Sequence, residues 1–252
     1  MRKLYSLFAF VLCFGIIVPS IALAQEDESP VNLGVDIYSR YVWRGTDFGS
    51  SPSIQPCLEF SKSGFTIGTW GAYTTNINNP AQEADIYLGY TFLNDMISLT
   101  LSDYFFPTDG AENSYFVYDS NTAHLFEFSA AFNGTEDFPL SFLVGTIFYG
   151  ADLNSEGNNR YSTYCEISYS PEIGGVPVSV FCGLNLTAAS NADLNLPVPV
   201  SGFYGDKLGV VNLGFSATKN IKITDSFELP LNVALISNPM KGNIFLVAGF
   251  SF

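Results

Sequence analysis

From Val31 onward, apolar residues fall at every second position, in short runs broken by turn-forming residues, until the chain reaches Phe252. That period belongs to the β-strand, whose side chains point alternately to two faces. Val31, Leu33, Val35, Ile37, Tyr41 and Trp43 form one face of a first strand, with Asn32, Gly34, Asp36, Tyr38 and Arg40 on the other. Ile54, Leu58 and Phe60 stand against Gln55, Cys57 and Glu59, and Ala84, Ile86, Leu88 and Tyr90 against Glu83, Asp85, Tyr87 and Gly89. Phe126 and Phe128 oppose Glu127 and Ser129, Cys165 and Ile167 oppose Tyr164 and Glu166, and Ile244 to Phe252 closes the series. About twelve such strands follow one another, with no internal repeat and no second domain. Downstream of Gln25, no apolar run reaches the roughly 20 residues that a membrane-spanning helix needs.

The connections alternate in length. Arg44 to Pro52, Asn76 to Gln82, Phe106 to Asn121, Gly150 to Asn159 and Ala188 to Tyr204 are long, with only the last of that set, Asn238 to Gly242, brief. Lys62 to Gly64, Asn94-Asp95, Pro171 to Gly175 and Asp225 to Glu228 are tight, with Asn133 to Pro139 the longest on that side. Short turns at one end, long loops at the other and an even strand number are the pattern of an outer-membrane barrel. The apolar faces are nearly free of charge, while the outward faces of a soluble sandwich meet water and carry it. Aromatic residues gather where strands end. Phe60, Phe65, Phe92, Phe132, Tyr169 and Phe252 lie near the tight turns, and Trp43, Tyr73, Phe105, Tyr149 and Tyr161 near the long loops, as two girdles around an apolar belt. The expected fold is an all-β, antiparallel, up-and-down transmembrane β-barrel of about 12 strands over residues 25–252, in contact with the lipid of a cell outer membrane. Ahead of it, Met1-Arg2-Lys3, the apolar Leu4 to Ile21 and the Ala22-Leu23-Ala24 box predict a signal peptide over residues 1–24.

Charge narrows the function classes. Twenty-four acidic residues against ten Lys and Arg give a net charge of −14, which repels a nucleic-acid backbone. One histidine, His124, and four cysteines leave little for a zinc site or a histidine relay, so no metal, cofactor or enzymatic activity is expected. Ser102 and Ser129 are the serines a hydrolase reading would pair with His124, and the spacing favours neither. The loop residues Asp109, Glu112, Asp119, Asp152 and Glu156 follow no calcium-loop pattern and read as solvated charge. Arg44 and Lys241 read as a solvated rim.

Folded in this phase, the inner wall receives Asp36, Glu59, Glu83, Asp85, Glu127 and Glu166, with Arg40 as the main cation facing them across a constriction. Tyr38, Trp70, Tyr87 and Tyr164 point the same way, either as filling or as a stacking track. An acidic wall concentrates cations and repels anions. Passive diffusion of small solutes or cations through an acidic lumen is the expected function. The alternative is a closed barrel acting through its loops Phe106 to Asn121 and Ala188 to Tyr204. Cys165 and Cys182 are numbered symmetrically about the Pro171 to Gly175 turn, so they stand opposite each other if Pro171 pairs with Val176; two unlinked lipid-facing thiols are the other reading.

The runs Asp36-Ile37-Tyr38-Ser39-Arg40-Tyr41-Val42-Trp43-Arg44-Gly45 and Asp85-Ile86-Tyr87-Leu88-Gly89-Tyr90, with the closing Gly249-Phe250-Ser251-Phe252, resemble the TorF-type porins, a family also described as the Gcw_chp proteins of unknown function. The resemblance covers most of the chain beyond the signal segment. It implies an outer-membrane β-barrel, in which Phe252 is similar to the terminal assembly signal of such barrels, and it implies no catalytic residues.

Overall fold

The alternating runs become strands where they were expected. The computed structural model describes residues 29–78, 81–107, 115–119 and 122–252. The predicted signal peptide, Asp109 and Glu112 lie outside the described residues. The elements are β1 (Val31–Tyr38), β2 (Tyr41–Trp43), β3 (Thr46–Phe48), β4 (Ser53–Lys62), β5 (Phe65–Thr74), β6 (Gln82–Phe92), β7 (Ile97–Phe105) and β8 (His124–Phe132). They continue with β9 (Leu140–Gly150), β10 (Thr163–Tyr169), β11 (Glu172–Ile173), β12 (Val176–Asn185), the one-turn helix α1 (Asn191–Leu194), β13 (Gly209–Lys222), β14 (Glu228–Asn238) and β15 (Asn243–Ser251).

All of the strands except β2, β3 and β11 form a closed ring of twelve antiparallel strands. Each ring strand pairs with the one before it, β10 with β12 across the short β11. The ring shuts where β1 lies between β15 and β4, with Ile37 opposite both Phe250 and Ile54. Closure leaves no strand edge with unpaired backbone N–H and C=O groups.

Alternation then sorts the side chains in the opposite sense to a water-soluble protein. Leu58, Ile86, Leu88, Leu101, Phe128, Phe215 and Leu246 are exposed on the outside, while Gln55, Asp85, Ser102, Ser129 and Asn232 are buried within. Inward rings lie against glycines of the neighbouring strand: Tyr87 on Gly68, Tyr164 on Gly183, Phe181 on Gly214 and Tyr38 on Gly249. A Cβ at any of these glycines would overlap the ring.

Two expectations are corrected. The first strand stops at Tyr38 instead of running on to Trp43. Tyr41–Trp43 is β2, which pairs with β3 across an Arg44-Gly45 turn, Trp43 opposite Thr46. Both turn residues have positive φ, 47° and 76°, as a two-residue hairpin turn requires. Trp43 therefore belongs to this hairpin and not to an aromatic girdle. The second concerns only the register that would have set the cysteines opposite each other; the reading of Cys165 and Cys182 as unlinked thiols holds. The turn after β11 is Gly174-Gly175, with φ of 62° and 78°, so Ile173 pairs with Val176. This moves the register: Cys165 faces Leu184 and Cys182 faces Ile167. The two thiols are diagonal neighbours, and Cys57, Cys165 and Cys182 are all free.

Gly68→Val would drive a branched side chain into the place of the Tyr87 ring, and overpacking of this kind costs about 1–3 kcal/mol. The refolded variant should lose its heat-resistant gel mobility at a lower temperature than the parent, whereas Ile67→Val on the outer face should leave it unchanged.

Candidate functional site

A ring lined by rings on glycines still has an axis to fill, and the hairpin β2–β3 fills it. The hairpin makes its own two-stranded sheet, separate from the wall. Its contacts reach across the lumen. Tyr41 Oη donates to Glu83 Oε2 of β6 at 2.6 Å, and Arg44 donates to Glu127 of β8. On the far side of the ring, Asn238 Nδ2 of β14 donates to the Gly45 carbonyl at 3.1 Å. One flank of the hairpin packs Tyr41 and Trp43 against Trp70, Tyr87, Tyr104 and Tyr164, all buried. The other packs Val42 against Tyr38, Phe181, Ile236 and Val247.

A second segment enters from the long connection between β12 and β13. It brings Phe203 to 6.0 Å from the Trp43 ring and Tyr204 Oη to 3.2 Å from Glu127 Oε2. The root of this connection is tied by Asn185 Nδ2, which donates to the carbonyls of Gly205 and Lys207. Further out, Ser190 caps α1 by accepting from the Asp193 N–H, and Asp193 pairs with Arg160 at 3.2 Å. Hydrogen bonds from Ser155 and then Ser190, with the Arg160 charge, hold the Asp193 carboxyl below the usual carboxylate range.

Arg44 is the centre of the filling. Its side chain is 6% exposed. The guanidinium grips Glu127 with both terminal nitrogens, Nη2 lying 2.8 Å from Oε1, and donates to Tyr204 Oη. The Trp43 and Tyr164 rings each lie 4.6 Å from its central carbon. Glu127 also accepts from Tyr104 Oη at 3.2 Å. Gly145 on β9 makes room for it, since a Cβ there would sit 2.7 Å from the Glu127 carboxylate. A desolvated ion pair persists only when further hydrogen bonds support it, and here Tyr104 and Tyr204 both bond to the Glu127 carboxylate.

The sequence assigned the two arginines the wrong way round. Arg40 follows the end of β1, is partly exposed, and pairs with Asp47 of β3 in the hairpin; it does not face the wall carboxylates. Arg44, read as a rim residue, is the buried cation. The Arg44-Gly45 dipeptide between two short alternating runs is a hairpin signal, but nothing in it says that the hairpin turns inward.

The other predicted lining residues do face the interior, in separate groups. Asp36 and Tyr38 are buried on β1. Glu59 is half-buried and accepts from Tyr87 Oη at 3.0 Å. Glu83 and Asp85 are buried beside Tyr41. Tyr164 donates to Glu166, and Asn212 Nδ2 reaches both, at 3.0 and 2.9 Å. Tyr38, Trp70, Tyr87 and Tyr164 are packed filling and form no open stacking track. Sequence reasoning missed Tyr41, Tyr104, Tyr204 and Asn238, whose inward roles depend on what meets them.

His124 lies on the other side of the wall from Ser102 and Ser129, which point inward. Its Nδ1 is 2.6 Å from Asp103 Oδ1, and its Nε2 donates to the Tyr115 carbonyl at 2.7 Å. In the loops, Asp152 accepts from the Ser162 hydroxyl, and Glu156 accepts from Asn158 at the surface. Among the described residues, no group of three or more His, Cys, Asp or Glu is arranged to hold a metal ion.

Residues 24–196 match a bacterial protein family of unknown function, Gcw_chp. No curated protein matches the sequence.

Arg44→Ala would leave Glu127 buried without its cation, a loss of about 3–5 kcal/mol. Arg44→Lys should recover only part of it, because an ammonium cannot reproduce the two-pronged grip. Urea unfolding of the refolded barrel should rank the parent above Arg44→Lys and Arg44→Lys above Arg44→Ala.

Proposed function

The chain belongs to the Gcw_chp family, bacterial proteins of unknown function, and we propose that it is a gated, porin-like barrel of the outer membrane that passes small cations when the β2–β3 hairpin leaves the lumen. The observation that carries this reading is how the hairpin is held. It shares no ladder with the wall and is clasped at its polar points by side chains: Tyr41 on Glu83, Arg44 on Glu127, Asn238 on Gly45. A barrel that only needed to be solid would gain more from an apolar filling, since buried ion pairs stabilise less than well-packed apolar groups of the same volume. With the hairpin withdrawn, the wall presents Asp36, Glu59, Glu83, Asp85, Glu127 and Glu166, and such a lining attracts cations.

The outer surface supports a lipid setting. Its exposed Leu, Ile, Val and Phe side chains would be unfavourable in water but suit acyl chains, and a closed ring satisfies every ladder hydrogen bond without water. A second reading, a permanently closed barrel that acts through its loops, is favoured by the two packed clusters on either side of the hairpin.

Planar bilayers separate the two. The parent protein should give rare, brief current steps. Arg44→Ala, or replacement of Tyr41–Phe48 by a Gly-Ser linker, should give frequent steps with a cation-selective reversal potential in a potassium chloride gradient. Silence from all three proteins, each still showing heat-modifiable gel migration, would overturn the channel reading and leave the closed barrel.

A further inference from the structure

The hairpin has a second clasp, and this one contains no cation. Glu83 and Asp85 are two positions apart on β6, so both side chains enter the lumen. They are 2% and 0% exposed. Glu83 accepts from the Tyr41 hydroxyl of the hairpin at 2.6 Å. Asp85 contacts Glu83 and the Phe105 backbone, yet among the described residues neither of its oxygens is met by a well-aligned donor.

Among the described residues, no cation lies beside the pair. On the neighbouring strands Asp85 lies opposite Trp70 and Tyr104, and Glu83 opposite Ala72. Phe48 of β3 stacks on Tyr41, and Tyr87 of β6 itself donates to Glu59 of β4. Asp103 of β7 stands on the outer face, paired with His124. The cations of the hairpin are engaged elsewhere, Arg44 with Glu127 and Arg40 with Asp47. Two ionised carboxylates in contact here would repel each other without water to solvate them. One proton removes the conflict, because a protonated carboxyl donates to its ionised neighbour.

We propose that Glu83 and Asp85 hold a single proton between them, and that this proton keeps the β2–β3 hairpin docked, so that its loss releases the hairpin. The inference deepens the gated reading of the lumen, but docking is measurable without ion flow. With the proton in place the pair carries one negative charge and accepts the Tyr41 bond. Once the proton leaves, two buried charges face each other, and undocking relieves them by admitting water. Release therefore increases as pH rises.

The chain carries only two tryptophans, and both report on this clasp. Trp43 is on the hairpin, and Trp70 lies opposite Asp85 with its ring 5.4 Å from Tyr41. In the refolded full chain, tryptophan emission should move to longer wavelength and become more open to acrylamide quenching as the pH is raised from acidic to alkaline. Asp85→Asn, whose amide donates to Glu83 at any pH, should keep the short-wavelength emission throughout. Glu83→Gln, which can donate to Asp85 and still accept from Tyr41, should do the same. Emission of the parent that does not change with pH overturns the proposal, and so does a shift that both variants retain. A pH-dependent shift in a barrel that never conducts leaves the proton clasp standing and removes the channel reading alone.

Discussion

Everything in this molecule rests on β1 finding β15 as well as β4. An open sheet of the same strands would expose two edges of unpaired backbone groups, and an apolar exterior could not then be placed in an apolar medium. Once the ring is shut, the ladder is complete, and the side chains on its two faces are free to invert the usual order. The outer face becomes apolar, and polar side chains share the interior with packed aromatic and aliphatic groups.

A ring of this size creates its own problem, which is the space within it. Part of the answer lies in the wall, where Tyr87, Tyr164, Phe181 and Tyr38 lie over glycines of adjacent strands. The rest is supplied by chain that is not wall at all: the β2–β3 hairpin and the Phe203-Tyr204 segment. These meet at Glu127, which takes Arg44 from one and Tyr204 from the other. The two fillings are thus cross-linked at a shared carboxylate and also directly, Arg44 to Tyr204 and Trp43 to Phe203, so a change at either is felt by the other. The polar character of that junction separates it from the apolar packing on either side.

Much of this was legible in residue order. The alternation identified the ring strands, their inner and outer faces, and the inward direction of Asp36, Glu59, Glu83, Asp85, Glu127 and Glu166. The readings that failed did so at turns. Continuing the first strand through Tyr41 and Trp43 followed the period correctly but ignored the Arg44-Gly45 turn. Centring the cysteine hairpin by numbering ignored Gly174-Gly175, whose left-handed backbone sets the register that keeps Cys165 from Cys182. His124 opens β8, and its partners Asp103 and Tyr115 come from another strand and a loop, which residue order does not reveal.

The sequence by itself determined the period, hence strands, hence two chemically distinct faces, because side-chain direction in a strand is a local property of the backbone. Only the tertiary structure decided what stands opposite those faces. Whether Arg44 is a rim residue or the buried partner of Glu127, and whether Glu83 and Asp85 line water or confine Tyr41, depends on a hairpin folding back through the ring. That is a contact between residues far apart in the chain, and local periodicity carries no information about it.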